Sequence, residues 1–252
     1  MSALSGKHAL VTGANRGIGA AIVRTLAAQG AHITLMVRDR AAAERVAGEV
    51  KTRTHIVTAD VSDRAAVRAG CESAVAALGP VDILVNNAGT VETIPFLKAP
   101  PEVFTQMFAV HVMGAVHTAQ AVLPAMLERG RGTIVNVASI AGLHGAPYVA
   151  HYVAAKHALV GLTRALAAEY KGKGVTVNAI CPGYVATDLV SGSLARISAK
   201  TGLSEAQALD AILTDAGQPR LIEAQEVADA VLHFCTGTDA NGETYVLMGL
   251  DA

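Results

Sequence analysis

The stretch at residues 8–37 reads HALVTGANRGIGAAIVRTLAAQGAHITLMV, and it decides the fold. It starts with a short apolar run at 8–12, which is followed by a glycine-rich turn and by apolar residues at helical spacing over 18–30. A second apolar run follows at 32–37. Runs that are apolar at nearly every position are typical of parallel strands covered on both faces. The stretch therefore predicts a strand, a helix and a second strand of an α/β protein.

The same alternation continues along the chain. Further strands are predicted at 54–59, 81–86, 132–137, 174–180 and 243–248, and further helices at 63–79, 101–130 and 223–235. Strands that alternate with helices indicate a doubly wound sheet. We therefore predict one α/β domain over residues 1–252, with seven parallel strands and helices on both faces.

One segment interrupts this alternation. Residues 187–222 have a helical pattern, but they are more polar than the other helices and precede the last one. In an open α/β sheet the ligand crevice lies outside the carboxyl ends of the strands, so an insertion after such an end covers the crevice. We predict that residues 187–222 form a helical substrate lid, and we call this segment the lid.

The composition excludes several classes of protein. Of the 252 residues 52% are hydrophobic, and the formal charge of −1 comes from interspersed signs without a basic stripe. We therefore expect no nucleic-acid partner and no membrane, and the N-terminal residues show no signal-peptide core. Cys71, Cys181 and Cys235 are far apart, which argues against disulfides and against a thiolate metal site. We expect a cytoplasmic protein that acts on a small molecule and carries no metal.

The glycine-rich turn predicts a dinucleotide site. Gly13, Gly17 and Gly19 lie between the first strand and the first helix. Glycines at this point allow a tight turn and let the amides of the helix N-terminus approach a pyrophosphate. Such turns are common after strands, so the turn alone is weak evidence for a dinucleotide site and other motifs have to support it.

A second pattern lies in HYVAAKH at residues 151–157, where Tyr152 and Lys156 are four residues apart. Side chains at this spacing share one face of a helix, so the phenol and the ammonium can meet. For the pair in isolation, a Lys that snorkels beside a half-buried Tyr is the commoner explanation. Catalysis is the alternative, and other motifs have to decide between the two.

Several motifs occur together and in order. Thr12 to Gly19 read T-G-x-x-x-G-x-G, residues 86–89 read N-N-A-G, and Ser139 precedes the Tyr152 and Lys156 pair. Asp60, Pro182, Gly183 and Thr187 stand at further matching positions. With this set the chain resembles a short-chain dehydrogenase/reductase over nearly its whole length, and it looks most similar to 3-hydroxybutyrate dehydrogenases and to β-ketoacyl or polyketide ketoreductases. The resemblance implies a Rossmann-like fold.

The resemblance also implies catalytic roles. Tyr152 would be the acid that protonates the alkoxide left by hydride transfer, and Ser139 would donate to the carbonyl oxygen. Lys156 would bind the nicotinamide ribose, and its ammonium, together with the oxidised nicotinamide, would lower the pKa of Tyr152. The family usually has an Asn where this chain has His111. Imidazole can also relay a proton, so we favour a functional replacement over a loss.

The resemblance and the turn together assign a cofactor site. NAD-binding folds usually place an acid after the second strand, where this chain has Arg38 beyond Val37. Two guanidinium groups, from Arg38 and Arg16, would suit a 2′-phosphate, so we predict NADP, as NADPH. If Arg38 instead pairs with Asp39 as a solvated turn residue, NAD stays open. The predicted cofactor residues are Gly13, Asn15, Arg16, Gly17, Ile18, Gly19, Arg38, Asp60, Val61, Asn87, Ala88, Gly89, Tyr152, Lys156, Pro182, Gly183, Val185 and Thr187.

The predicted substrate is a ketone or a secondary alcohol. Residues 140–151 contain no Lys or Arg, and a small free acid would want a fixed cation, so a 3-oxoacyl thioester or a bulky apolar ketone fits better. Two alternatives are an NAD-dependent dehydrogenase that oxidises a 3-hydroxyacyl, alicyclic or aromatic alcohol, and a non-catalytic dinucleotide-binding subunit. The predicted substrate residues are Ser139, His144, Val149, Tyr152, Tyr184 and Val190.

The helices predicted at 102–129 and 152–170 are apolar around much of their circumference. Such helices need a second surface on which to bury. We therefore expect a homo-oligomer, and the resemblance implies a dimer or a tetramer in which these helices pair.

Overall fold

The computed structural model describes residues 2–249, except for the side chains of Leu189 and Lys200. Within this range the chain forms the predicted Rossmann-like α/β domain with a parallel sheet of seven strands. The ends of the predicted domain, at residue 1 and at 250–252, lie outside the described residues. The strands are β1 (His8–Thr12), β2 (His32–Val37), β3 (Thr54–Thr58), β4 (Ile83–Asn86), β5 (Gly132–Val137), β6 (Val175–Pro182) and β7 (Thr244–Leu247).

Most helices of the domain lie close to the predicted positions, but the helix at Arg40–Gly48 was not predicted. They are α1 (Gly17–Ala28), α2 (Arg40–Gly48), α3 (Arg64–Leu78), α4 (Pro101–Phe108), α5 (Gly114–Glu128), α6 (Ala150–Glu169), α7 (Asp188–Thr201), α8 (Glu205–Asp215) and α9 (Ala224–Cys235). Two of them, α7 and α8, lie in the lid. The helix predicted as one piece over 101–130 is instead divided, because a π-helical segment, Ala109–Met113, separates α4 from α5.

The hydrophobic core lies on both faces of the sheet, as nearly continuous apolar strands require. Alternate residues of a strand point to opposite faces: Val11 packs with α1 and α9, whereas Leu10 packs with α3 and α5. Both residues are fully buried. The sheet is therefore a rigid middle layer between two layers of helices, and its carboxyl edge is a fixed platform for a site.

The strand order β3-β2-β1-β4-β5-β6-β7 places the site. The chain moves outward in one direction from β1 to β3 and then returns to the other side of β1 with β4. Ligands of open α/β sheets bind where the strand order reverses, outside the carboxyl ends of the strands. That point lies between β1 and β4, beside the glycine-rich turn.

One helical run, Pro101–Glu128, is long and apolar enough to cross a membrane by length and composition. Nearly half of its most apolar window, 44%, is buried inside the domain. The core helix of a soluble protein passes the same test, so this run is weak evidence for a membrane span.

Candidate active site

The glycine-rich turn is tied to the neighbouring strand. Gly13 has a φ of +64°, which a side chain would strain, and a Cβ on Gly19 would come within 2.1 Å of the Gly13 carbonyl oxygen. The Asn87 side chain donates to the carbonyl oxygens of Thr12 and Gly13 at 3.0 and 3.2 Å, and the amides of Asn87 and Ala88 donate to the Thr12 hydroxyl. The N-N-A-G motif therefore holds β4 against β1 and fixes the turn at the switch point.

The N-terminus of α1 suits an anion. Arg16 is the N-cap residue, and in the described structure no side chain caps this end and no acid lies in the first turn. Its first amides and the positive end of its dipole can therefore bind a pyrophosphate. Thr187 packs over the turn, because a Cβ on Gly17 would lie 3.3 Å from the Thr187 methyl group. The predicted residues Asn15 and Ile18 belong to the same turn.

Two charged residues lie where the adenosine half is predicted. Arg38 follows β2, its side chain is 76% exposed, and its guanidinium is 3.7 Å from the Asp60 carboxylate. Asp60 also accepts from the amide and the hydroxyl of Ser62, and these bonds, more than Arg38, hold the pKa of Asp60 below its usual value. Arg38 does not pair with Asp39, which caps α2 through the Ala42 amide. Val61, also predicted to contact the cofactor, is buried beside Asp60.

Three of the predicted catalytic residues converge at the carboxyl end of β5. Ser139 follows that strand and is close enough to Tyr152 for a hydrogen bond between their side chains. Lys156, on the same face of α6 as Tyr152, donates to the Val137 carbonyl oxygen at 2.8 Å. Its ammonium lies 5.5 Å from the centre of the Tyr152 ring. The pairing predicted from the four-residue spacing is therefore present.

Burial dominates the titration of this pair. Desolvation lowers the pKa of Lys156 to about 8 and raises the pKa of Tyr152 to about 12, while the hydrogen bond with Ser139 acts in the opposite direction on Tyr152. The expected lowering of the Tyr152 pKa is therefore not a property of the chain by itself, because burial of the phenol dominates and raises the pKa. It would have to come from the positive charge of an oxidised nicotinamide.

His111 lies in the π-helical segment, and the edge of its ring contacts Tyr152 with the ring centres 5.3 Å apart. Its Nε2 lies 2.8 Å from the Thr90 carbonyl oxygen, which can only accept, so Nε2 carries a proton, and Nδ1 has no partner within residues 2–249. Burial, and secondarily Lys156, lowers the pKa of His111 to about 3. His111 is therefore neutral at physiological pH, and a relay through it would use Nδ1 as an acceptor rather than an imidazolium.

A cavity beside His111 has room for about one water molecule. Thr12, Gly114 and Val137 are among the residues that line it. The cavity therefore lies between the end of β1, the π-helical segment and the end of β5. A water there would have the His111 ring as one of its polar neighbours.

The segment at the end of β6 is bonded both to β7 and to the end of the lid. Pro182 ends the strand, Gly183 donates its amide to the Leu247 carbonyl oxygen, and Val185 bridges to Ile222 at the end of the lid. Sequence reasoning did not identify Gln218, whose buried side chain bonds to both backbone polar groups of Tyr184. No pattern in the sequence signals it, because its partners are backbone atoms.

The predicted substrate residues occupy different environments. His144 is exposed and Val149 is half-buried just before α6, both in the segment that leads from Ser139 to Tyr152. Tyr184 and Val190 pack with Leu194 in a small core of the lid's own. The structure thus places Val190 inside the lid, and its contact with a substrate stays a prediction. Gly89, predicted to contact the cofactor, abuts His111, because a Cβ there would lie 2.6 Å from the imidazole ring.

This arrangement fits a nicotinamide dinucleotide. The uncapped helix N-terminus and the glycine-rich turn would hold the pyrophosphate, and Lys156, Tyr152 and Ser139 lie together at the carboxyl end of β5, on the same edge of the sheet. The cofactor supplies hydride transfer, and the protein supplies orientation and a proton. Among the described residues, no group of three or more His, Cys, Asp or Glu side chains could hold a metal ion.

Comparisons with known proteins agree with this chemistry. A family model described as short chain dehydrogenase matches residues 7–197. The chain is 35% identical to D-beta-hydroxybutyrate dehydrogenase of Rhizobium meliloti over 252 residues, which cover 97% of each chain. It is 36% identical to a protein of Streptomyces violaceoruber named "Granaticin polyketide synthase putative ketoacyl reductase 1" over 241 residues, or 94% of this chain and 88% of that one.

A solved structure gives the same result. L-sorbose reductase from Gluconobacter frateurii, complexed with NADPH and L-sorbose, superposes with a TM-score of 0.90 at 32% identity, covering 99% of this chain and 98% of that one. The fold and site define an oxidoreductase that interconverts secondary alcohols and ketones with NAD(P). The chain belongs to the short-chain dehydrogenase family.

Proposed function

We propose that this enzyme reduces a ketone to a secondary alcohol with NADPH, and that Tyr152 is the proton donor. The observation that supports the proposal most directly is the convergence of Ser139, Tyr152 and Lys156 at the carboxyl end of β5. The glycine-rich turn lies on the same edge of the sheet. The family match supports an enzyme over a non-catalytic binding subunit, so we do not propose the latter.

In this proposal the residues divide the work. Ser139 orients the carbonyl oxygen and donates to it as negative charge develops. Tyr152, which is protonated at neutral pH, gives its proton to the same oxygen. Lys156, fixed by Val137, binds the ribose and returns a proton to Tyr152. His111 supports the return path because its ring is neutral. Its Nδ1 can accept a hydrogen bond from a water in the adjacent cavity, and the ring adds no positive charge there.

For the cofactor we propose NADP rather than NAD. Arg38 is exposed at the end of β2, and Arg16 is exposed in the glycine-rich turn, so both guanidinium groups are accessible to a 2′-phosphate. Their present partners are weak ones, since Arg16 is 4.0 Å from Asp188 and Arg38 is 3.7 Å from Asp60. Exposed ion pairs contribute only about 0–1 kcal/mol. A phosphate could therefore displace both ion pairs at little cost. The structurally similar L-sorbose reductase, which was solved with NADPH, supports the same preference.

For the substrate we propose a 3-oxoacyl thioester or a bulky apolar ketone. The segment from Ser139 to Tyr152 offers no Lys or Arg to a free carboxylate. The names of two similar proteins, a hydroxybutyrate dehydrogenase and a ketoacyl reductase, point to 3-oxo and 3-hydroxy groups. The alternative is an NAD-dependent enzyme that oxidises a 3-hydroxyacyl, alicyclic or aromatic alcohol.

Steady-state rates of the purified protein test these proposals. We expect turnover of acetoacetyl-CoA or of a cyclic ketone with NADPH, and lower kcat/KM with NADH and with free acetoacetate. L-sorbose serves as a polar comparison. A higher kcat/KM for free acetoacetate would overturn the substrate class. Faster alcohol oxidation with NAD than ketone reduction with NADPH would favour the alternative, and tight NADPH binding without turnover of any ketone would overturn the reductase proposal.

We also propose a homo-oligomer, a dimer or tetramer, located in the cytoplasm. Phe108 and Met113, on α4 and the π-helical segment, remain 38% and 43% exposed, as expected of a surface that a second copy covers. The three cysteines are free and buried, which is compatible with a reducing compartment.

The oligomer is tested by light scattering, which should give a mass of at least two chains, and Met113→Asp should shift the protein toward monomer. A wild-type monomer at all concentrations would contradict the proposal.

A further inference from the structure

Gln218 is a buried polar residue at the end of the lid that the reaction as described does not use. It follows α8, and only 4% of its surface is exposed. A buried amide must satisfy its hydrogen-bonding groups within the protein, so its partners define what it holds.

The side chain of Gln218 binds the backbone of Tyr184 in two places. Its Oε1 accepts from the Tyr184 amide at 2.8 Å, and its Nε2 donates to the Tyr184 carbonyl oxygen at 2.8 Å. Nε2 also donates to the carbonyl oxygen of Arg220. One side chain thus occupies both polar groups of a residue 34 positions away, as the backbone of a neighbouring strand would.

The backbone of Gln218 is fixed to the lid. Its amide donates to the Leu213 carbonyl oxygen in the last turn of α8 at 2.9 Å. Beyond it, Ile222 donates to the Tyr184 carbonyl oxygen and accepts from the Ala186 amide. Gln218 therefore joins α8 to the segment after β6. If α8 moved away, the hydrogen bonds between Gln218 and Tyr184 would lengthen or break.

The fit around Gly183 shows how close this contact is. A Cβ at Gly183 would lie 2.2 Å from the Gln218 Oε1, so the glycine leaves the space that the amide fills. On its other side Gly183 donates to the Leu247 carbonyl oxygen in β7. The segment 182–185 is thus held between the sheet and Gln218.

We propose that Gln218 is a positioning residue that fixes segment 182–185 for the nicotinamide end of the cofactor and couples that segment to lid helix α8. The inference rests on the proposed function and on the resemblance to the family, which implies that the segment with Pro182, Gly183 and Thr187 holds the nicotinamide carboxamide. Gln218 touches neither the reacting atoms nor the adenosine half. Its loss therefore weakens binding of the nicotinamide end selectively and uncouples the lid from it.

The test compares ligands with and without a nicotinamide. In Gln218→Met, which keeps the side chain's length but loses its hydrogen bonds, the Kd of NADPH should rise roughly tenfold, as expected when one to two net hydrogen bonds are lost. The Kd of 2′,5′-ADP, which lacks the nicotinamide half, should stay unchanged. In Gln218→Glu the carboxylate would face the carbonyl oxygens of Tyr184 and Arg220, so the effect on NADPH should be at least as large.

Asn241→Leu is the matched control. Asn241 also clamps backbone groups, because it accepts from the Val177 amide and donates to the Ala167 carbonyl oxygen, each at 2.9 Å, but it lies away from segment 182–185. It should lower the Tm without changing the ratio of the two dissociation constants. Amide hydrogen exchange adds a second readout: NADPH should protect α8 in the wild type and in Asn241→Leu, but not in Gln218→Met.

The outcomes separate this inference from the proposed function. Equal weakening of NADPH and 2′,5′-ADP in both Gln218 variants, or no weakening in a folded variant, would overturn the positioning role. If Gln218→Met does not fold, the same ratio measured in Gln218→Glu decides. If the wild type binds NADH rather than NADPH, the comparison uses NADH and ADP. Failure of the wild type to bind either dinucleotide would instead overturn the proposed function itself.

Discussion

Replacing Tyr152 with Phe is expected to lower kcat for ketone reduction by roughly 10²–10⁴-fold, the usual contribution of a positioned general acid. The change removes one oxygen and keeps the ring that contacts His111 at 5.3 Å between ring centres. Binding of NADPH should persist, because Lys156 keeps its bond to Val137. Stopped-flow or steady-state rates, together with the Kd of NADPH, measure the two effects separately.

Tyr170→Phe is the control for this change, since Tyr170 lies at the end of the same helix and away from Ser139 and Lys156. It should leave kcat unchanged. The dependence on pH gives a second check: oxidation requires the Tyr152 phenolate, so the wild-type oxidation rate should rise with pH as Tyr152 loses its proton, and the variant should lose this rise. A Tyr152→Phe enzyme with wild-type kcat would remove Tyr152 from the chemistry.

The sequence predicted the sheet well because the strands carry their own signal. The bounds of β1, β2 and β5 coincide with the predicted runs, since a strand covered on both faces is apolar throughout and ends where glycine or polar residues begin. The carboxyl edge of the sheet follows from the strand order, and with it the approach of Ser139 to Tyr152. These residues come together because their elements do, so motif and spacing suffice to predict them.

The π-helical segment Ala109–Met113 could not be predicted in this way. It lies in a mostly apolar run, and one extra residue in a turn does not interrupt such a pattern. The ring of His111 is nevertheless placed by this segment. The sequence therefore identified His111 as the unusual residue, but its neutral state and its bond to Thr90 depend on a backbone irregularity that leaves no trace in residue types.

The partner of Arg38 shows a second limit. Adjacency in the sequence suggested Asp39, whereas β2 and β3 are neighbours in the sheet, and the residues after their ends, Arg38 and Asp60, come together in space. Asp39 instead caps α2. The titration of Tyr152 shows a third limit, because the burial that raises the pKa of its phenol is not visible in the spacing between Tyr152 and Lys156.

Changing Arg38 to Asp is expected to weaken NADPH binding roughly tenfold to a hundredfold, since hydrogen bonds to charged groups contribute about 1.5–3 kcal/mol. The Arg38 guanidinium is exposed, and its ion pair with Asp60 is long, so it is free to turn toward a 2′-phosphate. A carboxylate at this position would repel the phosphate. It could also accept hydrogen bonds from the ribose hydroxyls of NADH, so NADH binding should fall much less or rise.

The ratio of the NADPH and NADH dissociation constants is the decisive measurement, because a new acid beside Asp60 could disturb the adenine pocket and would then affect both cofactors alike. The ratio removes that common effect. Arg40→Asp is the matched control, since Arg40 lies two residues on, pairs with Glu44 within α2 and undergoes the same change of charge. All titrations should share one ionic strength, because salt screens the contact with the phosphate. An unchanged ratio in Arg38→Asp would mean that Arg38 faces solvent. Either Arg16 alone would then recognise the 2′-phosphate, or the enzyme would prefer NAD.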